Sequence, residues 1–77
     1  MSEKLSEAQR WILTNAAKGI RVVAGAGYEH HSNFATGDLW LGAPASAHRI
    51  CVKRGWLEND LITDAGRRAL QDQPHDL

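Results

Sequence analysis

The chain has one cysteine, one tyrosine, one phenylalanine, two prolines and three tryptophans among its 77 residues, and its nine basic residues are cancelled by nine acidic ones. Each scarcity removes a class of protein. A lone Cys51 closes no intrachain disulfide, and secreted chains this short commonly depend on such bridges, so a reducing, cytoplasmic setting is expected. Without a charge excess there is no long-range cationic field of the histone-like kind, so any affinity for nucleic acid must come from a local patch. No apolar run approaches the ~20 residues that cross a bilayer, and the opening Met1-Ser-Glu-Lys-Leu-Ser lacks the charged-then-apolar pattern of an export signal. Neither membrane insertion nor export is expected. A chain of this length encloses one core, which predicts a single domain over 1–77 with a frayed tail at 72–77 and no separate catalytic domain.

What is present is ordinary globular material, 43% hydrophobic and 23% charged, patterned first as a helix. Ser6 followed by Gln9 fits a capping box, in which each side chain satisfies a backbone donor of the other. Ala8, Ile12 and Ala16 recur at helical spacing, widened by Trp11, Leu13 and Ala17, and Gly19 offers a left-handed exit, so the spacing predicts a helix over 7–18. The stretch 20–42 is glycine-rich and β-branched. Ile20–Val23 and Asp38–Leu41 read as strands that pair as a hairpin, with 24–37 a long loop or an additional hairpin. Pro44 in a first turn, or Ser46 as a cap, starts a second helix that runs to Arg54. Gly55 ends it, 56–58 and 61–63 alternate as two very short strands around an Asn59-Asp60 turn, and Thr63 caps a last helix from Asp64 to about Gln71. The fold class expected is α+β, three helices with short β-hairpins.

Val52-Lys53-Arg54-Gly55-Trp56-Leu57-Glu58, followed by Ile62-Thr63-Asp64-Ala65-Gly66-Arg67-Arg68-Ala69-Leu70, resembles the winged helix-turn-helix regulators of the MarR type. Those end the recognition helix in a basic-basic-Gly-apolar corner and leave the wing through a Leu/Ile-Thr-x-x-Gly-Arg helix start. Leu5-Ser6-Glu7-Ala8-Gln9-Arg10 is similar to their first helix. The chain is also similar to short wing-containing phage and prophage proteins in which a glycine- and aromatic-rich hairpin replaces the second helix. The resemblance covers 5–18 and 44–71, and implies a winged-helix-like domain with 44–54 as recognition helix. The corner makes physical sense, because a glycine there lets the chain reverse while the next apolar residue drops into the core. In this chain Cys51 stands where a leucine is usual, and the turn at Asn59-Asp60 is short for a wing.

On that reading Arg49 and Lys53, four apart on one helix face, with Ser46 a turn before and Arg54 beside them, grip phosphates, and Arg49 reaches a base edge. Arg67 and Arg68 touch the flanking backbone. Residues 49–68 hold five basic and three acidic residues, a small local excess, so a homodimer is expected where an operator is to be specified. The bland alternative is an ordinary solvated helix face. Trp11 and Trp56 are expected in the core, with Trp56 and Ile12 buried against one another's elements. Tyr28, Phe34 and Trp40 are either core or an aromatic contact patch for a host or phage protein.

His48 and Cys51 sit one turn apart and His30 and His31 are adjacent, but no paired metal-ligand spacing exists, so no metal is expected. Gly25-Ala-Gly27 lacks the further glycine of a dinucleotide loop, and no cofactor or enzyme motif is found. Two functions are therefore expected from the sequence. One is a non-enzymatic DNA-binding regulator, of phage or mobile-element type. The other is a protein-binding inhibitor or adaptor that uses the central segment. The Arg-Gly-Trp corner favours the first and the neutral charge the second.

Overall fold

A computed structural model of the chain describes residues 5–33 and 35–71, the side chains of Asn33 and Asp38 excepted. Its elements are α1 (Glu7–Ala17), β1 (Arg21–Gly25), β2 (Glu29–Asn33), β3 (Asp38–Pro44), α2 (Ala45–Lys53), β4 (Leu57–Glu58), β5 (Leu61–Ile62) and α3 (Asp64–Gln71). The chain is thus an α+β domain of three helices and two small sheets among the described residues. No helix among them is long and apolar enough to cross a membrane. The expected frayed tail and Phe34 lie outside the described residues.

α1 begins as its sequence requires. The Ser6 hydroxyl accepts from the Gln9 amide at 3.1 Å, and the Gln9 side chain accepts from the Ser6 amide at 3.0 Å. The helix ends one residue before the expected Lys18, which serves as C-cap, and Gly19 takes the left-handed exit at φ 86°. It turns Ile12, Leu13 and Ala16 fully inward.

The central segment departs from expectation. Val22 and Val23 do pair with Leu41 and Gly42, but β1 runs parallel to β3, so the two do not form a hairpin. The hairpin is β2–β3, antiparallel from Asn33↔Asp38 to Glu29↔Gly42, and the sheet order is β1-β3-β2. A hairpin between β1 and β3 would need a tight reversal between them. Instead Ala26–Tyr28 carries the chain past the end of β3 and β2 makes the reversal, so that β3 returns between its two predecessors. Glu29 packs flat where Gly42 and Gly25 lack side chains: a Cβ at 42 would lie 3.2 Å from the Glu29 Cβ, and one at 25 would lie 2.9 Å from its Oε1. The Glu29 carboxylate also accepts from the Ala26 amide at 3.3 Å.

One face of this sheet meets the helices. Val22, Leu41 and Ala43 share that face and are buried, and the core joins most of them to Leu5, Ile12, Leu13, Ala16, Ala47, Cys51 and Leu57. Trp11, Trp56, Ile62, Ala69 and Leu70 pack at its margin. Trp56 packs on the core as expected but only half-buried, because the corner after α2 delivers Leu57 fully inward.

That corner is closed by backbone geometry. The Trp56 amide donates to the Cys51 carbonyl at 2.9 Å and the Gly55 amide to the Val52 carbonyl at 3.0 Å, with Gly55 at φ 76°. This pair of hydrogen bonds at a left-handed glycine satisfies carbonyls that the helix end would leave open. Asn59 and Asp60, both at positive φ (52° and 65°), make the two-residue turn of β4–β5, the conformation that matches the twist of a tight hairpin. Thr63 caps α3 by accepting from the Gly66 amide at 3.1 Å, and its hydroxyl donates to the Gly55 carbonyl, tying the start of α3 to the end of α2.

Candidate nucleic-acid interface

α2 is the element that could read a ligand, and its sequence divides it lengthwise. Ala47 and Cys51 are buried and His48 is only 13% exposed at its side chain, so this side lies on the sheet. Ser46, Arg49 and Lys53 are exposed on the remaining surface, followed by Arg54 at the C-cap. No acidic residue occurs between Ala45 and Trp56. Pro44 occupies the N-cap position and makes no side-chain cap bond, so Ser46 stands inside the first turn and is not the cap. The guanidinium of Arg54 lies 5.8 Å from the centre of the Trp56 ring. That cation–π contact holds it beside the corner and restrains its reach.

What fixes α2 is a group that sequence reading weighed only as a metal ligand. His48 Nε2 lies 3.0 Å from the Val22 carbonyl and 3.5 Å from Asp60 Oδ1. Both neighbours are acceptors, so Nε2 carries the proton and donates. The Val22 amide in turn donates to the Asp60 carbonyl at 3.0 Å. β1, α2 and the β4–β5 turn are thereby joined at one point under the basic surface. The described residues contain no group of three or more His, Cys, Asp or Glu arranged to hold a metal ion.

Arg67 and Arg68 are both exposed on α3, which packs on α1 and β5 and not along α2. The fold therefore does not gather them into the α2 surface. Between the β4–β5 hairpin and the start of α3 lies an open groove of about 650 Å³ lined in part by Glu58, Asn59, Thr63 and Asp64. Its two carboxylates, Glu58 and Asp64, give this groove an acidic lining.

Tyr28 and Trp40 do not share one patch. Tyr28 is 56% exposed and meets Trp11 of α1 edge-on, with centroids 4.8 Å apart. Trp40 points to the sheet face opposite Leu41, in one row with Arg21 and His31, the residues paired to it in register. His31 stacks on it at 5.4 Å and 12°, and the Arg21 guanidinium lies 5.9 Å from its ring centre. The alternation of Leu39-Trp40-Leu41 held this information, but two apolar faces left the inward one ambiguous.

Cys51 is the one described side chain whose ionisation is clearly displaced. Burial pushes its thiol from 9.0 up to about 11, against a smaller opposing effect of a backbone hydrogen bond. A thiol so raised carries roughly a hundredfold less thiolate at pH 8 than a free one, so alkylation of the folded protein is expected to be slower by about that factor and to recover in denaturant. The folded value being the higher one, its contribution to stability is complete below pH 9 and is lost as pH rises from 9 toward 11. An alkaline titration followed by circular dichroism should show this loss, and a Cys51→Ala variant should lack it. Rapid native alkylation would mean that Cys51 is accessible.

No family model, curated protein or solved structure matches this chain.

Proposed function

We propose that this chain is a small, non-enzymatic nucleic-acid-binding protein that lays the exposed side of α2 against duplex DNA in a winged-helix-like arrangement. One observation carries the reading: an acid-free helix, fixed from behind by His48, presents Ser46, Arg49, Lys53 and then Arg54 to solvent. Phosphate contacts from such residues position a protein on DNA, and a base edge met by Arg49 adds sequence preference. Arg67 and Arg68 lie on α3, which packs on α1 and β5, so they would touch only DNA that extends beyond α2. With three basic groups engaged, the salt exponent is about −2.7, so a fourfold rise in salt should weaken binding by ~40-fold.

Fluorescence anisotropy on labelled duplexes at two salt concentrations tests this. The Arg49→Ala, Lys53→Ala double variant is expected to lose at least ~10-fold in affinity and about two units of salt exponent. Binding that the double variant keeps in full, or a parent that ignores duplex at low salt, would refute it.

A second reading is favoured by Ile50 and Val52, which are 40% and 50% exposed on the same helix. Apolar residues interleaved with basic ones suit a protein contact as well as a phosphate one. A pull-down in which Ile50→Ser, Val52→Ser loses a partner that Arg49→Ala keeps would select it. Of the aromatic form of that reading, Tyr28 is exposed while Trp40 is held between Arg21 and His31, and Phe34 lies outside the described residues.

A further inference from the structure

The two edges of the central sheet are treated differently by the fold. The outer edge of β1 is met by the β4–β5 turn through the Val22–Asp60 bond. At the outer edge of β2, by contrast, no helix among the described residues packs appreciably. Its five residues Glu-His-His-Ser-Asn contain no lysine or proline, and its register with β3 runs without a bulge. Those are the usual devices that keep an edge strand from pairing with another chain.

We propose that β2 is a self-association edge, through which two copies of this chain pair antiparallel about a two-fold axis at His30 to form one six-stranded sheet. This register is selected by the side chains. On the outer face it sets Glu29 of each copy opposite His31 of the other, extending the contact that Glu29 and His31 make within one chain at 3.5 Å. On the inner face it sets Tyr28 of the second copy opposite Ser32, whose in-chain neighbour is Leu39. Tyr28 and Leu39 are the two most exposed large hydrophobic residues, at 56% and 52%. Strands lie ~4.8 Å apart, so the tyrosine ring crosses Ser32 to reach Leu39 and each covers the other. A two-fold axis relating antiparallel strands of one sheet stands perpendicular to it, which keeps both α2 helices on the same side. The pairing does not depend on the nucleic-acid reading and would hold without it.

Sedimentation over a concentration series, together with amide exchange, tests the proposal. The parent should dimerise with a Kd of roughly 10–100 µM, as a small, polar interface gives. The β2 amides that point away from β3 should gain protection as concentration rises. Glu29→Lys should weaken the dimer at least tenfold, and Glu29→Lys combined with His31→Glu should restore it. Rescue separates a lost pair from local damage, because both variants lack the carboxylate that accepts from the Ala26 amide. A parent that stays monomeric, a dimer whose β2 amides stay unprotected, or a double variant no tighter than the single one would overturn the assignment.

Discussion

Replacing Gly66 by alanine is expected to lower the melting temperature by roughly 10–20 °C, on the scale where 1 kcal/mol moves a domain of this size by ~4–8 °C. Helix propensity alone argues the opposite, since alanine is better than glycine inside a helix by about 1 kcal/mol. Packing decides the sign. A Cβ at 66 would run into the Trp56 carbonyl oxygen and lie 2.8 Å from Ile62 Cγ1. The first obstacle is main chain and cannot rotate away, and the same carbonyl already accepts from the Thr63 amide at 2.9 Å. Overpacking of this kind costs ~1–3 kcal/mol or more, and a fixed backbone obstacle belongs at or above the upper end. Gly27, around which an added Cβ meets nothing within 4 Å and whose φ is not left-handed, is the control. Its alanine variant should melt close to the parent. An alanine at 66 that leaves the melting point unchanged or raises it would show that α3 does not press on the corner.

Ile12→Ala is expected to cost ~2–5 kcal/mol, a large share of the ~5–15 kcal/mol that holds a domain folded. The reason lies in what surrounds it. Ile12, Leu13, Val22 and Cys51 are the largest fully buried side chains, and much of the remaining core is Ala16, Ala43 and Ala47. Small neighbours with no rotatable side chain cannot swing into a cavity, so little of the lost contact is recovered. Ile12→Val, which removes one methyl group, should cost only ~0.5–1.5 kcal/mol. Urea denaturation would resolve this graded pair. A loss below about 1 kcal/mol for the alanine variant would mean that α1 is not the centre of the core.

The elements that local chemistry specifies were legible in the sequence. The Ser6–Gln9 box, the Gly55 corner and the Thr63 cap are formed by residues a few positions apart, and the structure places each where its pattern predicts. The Ile-Thr-x-x-Gly stretch at 62–66 acquires a structural reason of its own: Thr63 bonds the corner and Gly66 lets α3 approach it. The basic residues of α2 were also readable, since Arg49 and Lys53 fall on one side by helical period and the buried Ala47 and Cys51 on the other.

Three things were not readable, and each depends on partners distant in the chain. The parallel pairing of β1 with β3 is decided by which strand enters the middle of the sheet, and alternation within a strand carries nothing about its neighbours. The roles of His48 and Trp40 follow from that pairing, because Val22 brings its carbonyl to the histidine and β3 brings Trp40 between Arg21 and His31.

By itself, then, the sequence determined helix ends, turns and the composition of one small core, because capping, left-handed glycine and hydrophobic period act over one or two turns of chain. Only the tertiary structure decided strand order, the place of β2 at the edge of the sheet and the packing of the Arg67–Arg68 helix on α1 and not along α2. Those are set by which distant surfaces exclude water together, a condition that no local run of residues contains.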